Sequence, residues 1–106
     1  MKSVSEIVKL ENPSERRQEF INGLYELGKQ IAYRDFHKPT DAPYEVYCTR
    51  FKDYKFFDGM PQERIDDILT RGRIAYERGF ADFVGKTYVD EVNEIRKNHL
   101  GVQVNG

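Results

Sequence analysis

The stretch PQERIDDILTRGRIAYERGFADFV, residues 61–84, carries the clearest structural signal in the sequence. Its apolar and small residues recur at spacings of three and four, which places them along one side of a helix with 3.6 residues per turn. They are Ile65, Ile68, Leu69, Gly72, Ala75, Tyr76, Gly79, Phe80, Phe83 and Val84. Residues 58–61, DGMP, are typical of a turn just before it. The pattern predicts an amphipathic helix from Pro61 to Val84.

The same periodicity recurs nearer the N-terminus and predicts a second long helix, from Glu15 to Phe36. Its apolar stripe consists of Phe20, Ile21, Leu24, Leu27, Gly28, Ile31 and Ala32. Ser14 is the predicted N-cap, because a serine hydroxyl accepts hydrogen bonds from the free amides of a first helical turn. Pro39 and Pro43 follow this helix and are expected to keep it from continuing, because proline has no amide hydrogen to donate.

Shorter elements are predicted at both ends of the chain. Ser3 and Glu6 have the spacing of a capping box and predict a short helix over the apolar residues that follow. Gly85 is expected to end the long helix of residues 61–84, because glycine is the usual residue after a helix C-terminus. A last helix is then predicted over residues 87–99, and residues 101–106 are expected to form a loose tail.

The segment from Tyr44 to Phe57 carries two conflicting signals. Its tyrosine, valine, threonine and phenylalanine content favours a strand, whereas its aromatic residues recur at helical spacing. A hairpin would need a turn near Lys52 and Asp53, where the usual glycine or asparagine is absent. We therefore predict one all-α domain, residues 1–106, of four or five helices, with the helices of residues 15–36 and 61–84 crossing closely. The alternative is an α+β fold with a small hairpin at about 44–57.

Composition limits the function classes that the chain can serve. Lysine and arginine total 17 against 18 for aspartate and glutamate, so the net charge is -1. This near-balance argues against a protein that holds nucleic acid by its overall charge, although a local basic patch is still compatible with it. Cys48 is the only cysteine, and the sequence has neither a signal-peptide pattern nor an apolar run of membrane-spanning length. We therefore expect a soluble cytoplasmic protein.

No catalytic or metal-binding constellation stands out. His37, Cys48 and His99 lie far apart in sequence without metal-ligand spacing, so no metal and no cofactor is predicted. Cys48 is interpreted as a small apolar residue of the core. An enzyme in which His37 activates Cys48 is the third and weakest functional hypothesis.

The aromatic residues of the middle segment suggest a surface for binding another protein. One helix face cannot cover all of its rings, so we expect some of them to be exposed beside neighbouring basic residues. Tyrosine and arginine are common anchors of protein interfaces. The favoured function is therefore a small non-enzymatic regulator or adaptor, although packing of these rings in the core alone is the competing interpretation. The predicted protein-binding residues are Tyr44, Tyr47, Arg50, Phe51, Tyr54 and Lys55.

The alternative is a nucleic-acid-binding module that uses arginines of the 61–84 helix together with the aromatic residues of 44–57, which could stack on single-stranded bases. Arg64, Arg71 and Arg78 recur every seven residues and so lie along one side of the helix, where they could follow a phosphate backbone. Asp67 and Asp82 are within helical reach of these arginines and would reduce their field. A solvated face of ion pairs is therefore the favoured interpretation of the arginine row.

Small residues within the two apolar stripes predict a close approach of helix backbones. Glycine destabilises a helix interior by about 1 kcal/mol relative to alanine, so Gly28, Gly72 and Gly79 need a compensating contact. Contact between the two long helices of one chain is the favoured explanation. A homodimer through Gly72, Ala75 and Gly79 is the alternative.

Overall fold

The part of the chain that the structure describes folds into four helices and is all-α, as predicted. The computed structural model describes residues 2–34 and 39–105, and beyond Lys86 it describes side chains only at Asp90, Asn93 and Glu94. The described residues contain no strand, so the alternative of a hairpin at 44–57 is wrong. The helices are α1 (Val4–Val8), α2 (Pro13–Arg34), α3 (Asp41–Asp53) and α4 (Gln62–Asn105).

The two N-terminal helices begin at side-chain caps, one predicted and one not. Ser3 Oγ accepts from the Glu6 amide at 3.3 Å, which confirms the predicted cap of α1. The predicted cap of α2 is wrong, because Asn12 fills that role. Its Oδ1 accepts from the amides of Ser14 and Glu15 at 2.9 and 3.3 Å. Pro13 is then the first helical residue, where its fixed φ suits the helix and its missing amide hydrogen leaves no bond unmade.

The long C-terminal helix does not stop where the sequence suggested. It runs without interruption through Gly85 to Asn105, so the predicted break at Gly85 and the separate helix over 87–99 are wrong. Residues 101–105 of the expected tail belong to this helix, and residue 106 lies outside the described residues. Gly85 keeps a negative φ and has open space around its Cα hydrogens. Glycine ends a helix when it adopts a positive φ, and otherwise it only weakens the helix locally. The 44 residues of α4 account for the 68 Å long axis of the molecule.

Helices α2 and α4 lie side by side, run in the same direction and touch at their glycines. A methyl group on Gly28 would overlap the Tyr76 carbonyl oxygen, and one on Gly79 would overlap the Tyr25 carbonyl oxygen. Gly72 faces the side chains of Leu24 and Phe20 instead. The predicted close approach is therefore made within the chain.

The residues of the predicted dimer face contact α2 in this packing. Gly72 and Gly79 are buried against α2, and Ala75 beside them is half-buried at the edge of the same contact. A second copy could reach these glycines only if α2 and α4 separated, so the homodimer through this face stays a prediction that the contacts within the chain do not favour.

The centre of the core is the ring of Phe20, on α2. Phe51 meets it edge-on with ring centroids 4.9 Å apart, and Phe56 stacks on it at 5.1 Å. Helix α3 runs antiparallel to α2 and α4 and contributes Phe51, and Phe56 follows just after its C-terminal end. Ile7 of α1 packs against the same core. Each buried aromatic side chain removes a large apolar area from water, and such ring pairs add about 1 kcal/mol beyond that burial.

The end of α3 explains how so many rings enter one small core. Lys55 adopts a positive φ of 62°, and the Phe56 amide donates to the Phe51 carbonyl at 3.0 Å while the Lys55 amide donates to the Lys52 carbonyl at 2.9 Å. This pair of bonds is a Schellman motif, which reverses the chain at a helix C-terminus. Phe56 is thereby folded back onto Phe51 and Phe20 instead of continuing around the helix.

Candidate functional site

The predicted protein-binding residues of α3 separate into a buried and an exposed group. Phe51 is fully buried, so the expectation that it forms part of a contact surface is not met. Tyr44 and Tyr47 are half-buried against the core. Their rings pack inward because α3 lies across α2 and α4, which the sequence pattern alone could not indicate. Arg50, Tyr54 and Lys55 remain at the surface.

Tyrosine hydroxyls attach α3 to both long helices. Tyr44 donates to the Leu69 carbonyl at 2.9 Å, and Tyr47 donates to the Phe20 carbonyl at 2.7 Å. Tyr76 of α4 donates in turn to the Thr40 carbonyl at 2.8 Å, just before α3 begins. Burial raises the pKa of Tyr44 and of Tyr47 well above the usual value, so both phenols stay protonated donors at neutral pH. These contacts give the tyrosines a structural role.

Replacing Tyr47 by phenylalanine tests that role. The change removes the hydroxyl that donates to Phe20 and is expected to lower the free energy of unfolding by about 1 kcal/mol. Tyr54, whose side chain is 54% exposed, is the matched control, because Tyr54→Phe deletes the same atom from a solvated position. Urea denaturation measures the free energy of unfolding of both variants. Equal effects of the two substitutions would contradict a structural role for the Tyr47 hydroxyl.

Cys48 is poorly suited to act as a nucleophile. Its side chain is half-buried, and burial raises the pKa of the thiol, with only partial compensation from its hydrogen bond to Tyr44. His37, the proposed activating base, lies outside the described residues, and so does the side chain of His99. Among the described side chains, no three histidine, cysteine or carboxylate groups converge on a common point.

A polar groove lies between α2 and α4. Two adjoining clefts share Gln18, Ile21 and Arg71 and so form one continuous channel along both helices. All three arginines predicted on α4 line it, and Arg17 joins them from α2. We call this feature the arginine groove. It lies on the side of the α2–α4 pair opposite to α3. Its remaining lining residues are Ser14, Asn22, Tyr25, Asp67, Ile68, Ile74 and Ala75.

Positive charge dominates the groove. Asp67 is its only lining carboxylate, and it binds Arg71 at 3.0 Å, so this predicted i,i+4 pair forms. Within the described part of the chain, no carboxylate oxygen lies within ion-pair distance of Arg17, Arg64 or Arg78. The expected pairing of Arg78 with Asp82 is not observed. A chain of net charge -1 thus concentrates several uncompensated guanidinium groups in one channel.

Asp82 is instead engaged at the end of the groove. Its Oδ2 accepts from the Tyr25 hydroxyl at 2.7 Å, and this hydrogen bond raises the pKa of Tyr25. The bond joins the Asp82 carboxylate to Tyr25 of α2 rather than to Arg78. Tyr25 therefore stays a neutral hydrogen-bond donor at this end of the channel.

The floor of the groove is aliphatic. Ile74 is 50% exposed and lies on α4 between Arg71 and Arg78, while Ile21 faces it from α2. The amide side chains of Gln18 and Asn22 line the α2 rim, where Gln18 Nε2 donates to Asn22 Oδ1 at 2.8 Å. The channel therefore offers a ligand guanidinium groups on the rim and apolar contact along its base.

Sequence reasoning identified the α4 half of this groove and missed the α2 half. Arg17, Gln18 and Asn22 belong to it only because α2 packs parallel to α4 in a particular register. The one available signal was that Arg17 precedes Ile21 of the apolar stripe by four residues and so lies on the same side of α2.

Comparison of the chain with protein-family models, with curated proteins and with solved structures found no match. Among the helices as far as they are described, none carries an apolar stretch long enough to cross a bilayer.

Proposed function

We propose that this chain is a small non-enzymatic adaptor that binds an acidic segment of another protein in the arginine groove. The observation that carries the proposal is the combination of four arginines and one aspartate around an aliphatic floor. Arginine is favoured at protein interfaces because its planar guanidinium binds carboxylates through two hydrogen bonds. An apolar floor beneath charged rims is the usual arrangement of a groove that receives an amphipathic peptide.

The exposed end of α3 is a weaker candidate surface. Arg50, Tyr54 and Lys55 remain accessible, but the rings that made this segment attractive as an interface are largely committed to the core. The proposal therefore moves the contact surface from residues 44–57 to the groove and keeps the class of function. It also places the protein in the cytoplasm, where a chain with one half-buried cysteine has no need of disulfide formation.

Nucleic acid is the alternative ligand, because Arg64, Arg71 and Arg78 form a straight row that could follow phosphates. Two labelled probes separate the possibilities by fluorescence anisotropy. One is an acidic, helix-forming peptide of three heptads, and the other is a single-stranded oligonucleotide of similar length. We expect the peptide to bind and the oligonucleotide to bind more weakly.

Salt concentration sharpens this comparison. A phosphate-driven complex loses affinity steeply, by orders of magnitude, between about 50 and about 200 mM salt, because each neutralised phosphate releases counterions. Apolar contacts with the groove floor make the peptide complex less sensitive. Tighter binding of the oligonucleotide, with a steep salt dependence, would replace the adaptor proposal by the nucleic-acid alternative. Binding of neither probe would contradict both.

A further inference from the structure

We infer that the arginine groove selects an α-helical ligand whose acidic residues recur every seven positions, with an aliphatic residue midway between them. This inference rests on the proposed function and names the form of the partner. It depends on the spacing of the arginines, on the residue between them and on the position of the groove in the fold.

The arginine spacing matches a helix and does not match an extended peptide. Arg64, Arg71 and Arg78 follow one another at two helical turns, which corresponds to about 10.5 Å along α4. A ligand helix lying along the groove repeats its own side chains at the same interval. In an extended peptide, side chains on one face recur about every 6.7 Å, so successive carboxylates would not meet successive arginines.

The residue between the arginines defines the rest of the ligand pattern. Ile74 occupies the interval between Arg71 and Arg78, and Ile21 approaches the same point from α2. A half-exposed isoleucine gains from burial only if the ligand places an apolar side chain above it. On a ligand helix, that side chain would follow an acidic residue by three or four positions.

The position of the groove provides a place for one more helix. Along α4, the residues that contact α3 and those that line the groove lie on opposite sides of the face that packs on α2. Tyr76 and Leu69 belong to the first set, and Arg71 and Ile74 belong to the second. A helix bound in the groove would therefore lie on the side of the α2–α4 pair opposite to α3. Together with α2, α3 and α4 it would form an arrangement of four packed helices.

Two helix-forming peptides of identical composition test the inference against the full-length protein. In the first, glutamate occupies every seventh position and leucine lies midway, whereas in the second the same residues are shuffled so that glutamate recurs every fifth position and winds around the helix. We expect the first peptide to bind about tenfold more tightly by anisotropy titration.

Ile74→Ala provides an independent readout. This substitution shortens an exposed side chain and should reduce the affinity of the first peptide while leaving that of the shuffled peptide unchanged. Equal affinity of the two peptides for the unaltered protein would overturn the selection of a seven-residue pattern, yet would leave the acidic adaptor proposal standing. Failure of both peptides to bind would overturn both the seven-residue pattern and the acidic adaptor proposal.

Discussion

Substitution of Gly28 by alanine is expected to destabilise the protein by about 3 kcal/mol. The new Cβ would overlap the Tyr76 carbonyl oxygen, which belongs to the backbone of α4 and cannot move away as a flexible side chain could. Overpacking a closed contact costs about 1 to 3 kcal/mol, and a backbone-to-backbone contact belongs at the upper end of that range. Urea denaturation gives the change in the free energy of unfolding.

Gly85→Ala is the matched control for this prediction. Gly85 is also a helical glycine of the long helices, but a Cβ there would meet no atom within 4 Å. Alanine should therefore stabilise α4 by up to about 1 kcal/mol, because it favours helix where glycine does not. The two substitutions are thus expected to have opposite signs. Destabilisation by Gly85→Ala would indicate that α4 does end at that position.

Reversing two charges in the arginine groove is expected to weaken binding of the acidic three-heptad peptide roughly 30-fold. Arg64→Glu and Arg78→Glu each remove an attraction and introduce a repulsion, and exposed charge pairs are worth about 0.5 kcal/mol each. Four such contributions amount to about 2 kcal/mol, which corresponds to this factor. Both arginines are exposed and make no ion pair within the described residues, so the fold should tolerate the change.

The control for charge reversal is Arg50→Glu combined with Lys55→Glu. This pair changes the net charge of the protein by the same amount at the exposed end of α3, outside the groove. We expect the peptide to bind this variant nearly as well as the unaltered protein. If this variant loses affinity while the groove variant does not, the contact surface is the one that the sequence first suggested.

The fold was predictable where apolar residues recur in the sequence at helical spacing. The stripes of α2 and α4 identified the two long helices and the glycines at which they touch. Gly85 was misinterpreted because a glycine can either end a helix or lie within one, and the choice depends on its φ, which no local pattern fixes. The Asn12 cap was missed because asparagine before proline also suits a turn.

The candidate site was less predictable because it depends on how elements pack. A continuous helix over residues 44–57 would have exposed several rings, but the chain reverses at Lys55 and returns Phe56 to the core. Arg17 and Arg64 lie 47 positions apart and share a groove only because α2 and α4 are parallel. The spacing of apolar residues predicts the faces of a single helix, whereas this groove forms only where two helices pack against each other.

The parallel pairing of α2 with α4 also bears on how quickly the chain folds. Helices joined by short loops can dock as soon as they form, whereas Gly28 and Tyr76 meet only after about 50 intervening residues have been brought back. The chain loses the conformational entropy of that segment before the contact between the helices can stabilise it. We therefore expect the protein to fold more slowly than a bundle of sequential helical hairpins. The folding limb of a chevron plot would show whether this contact already exists in the transition state.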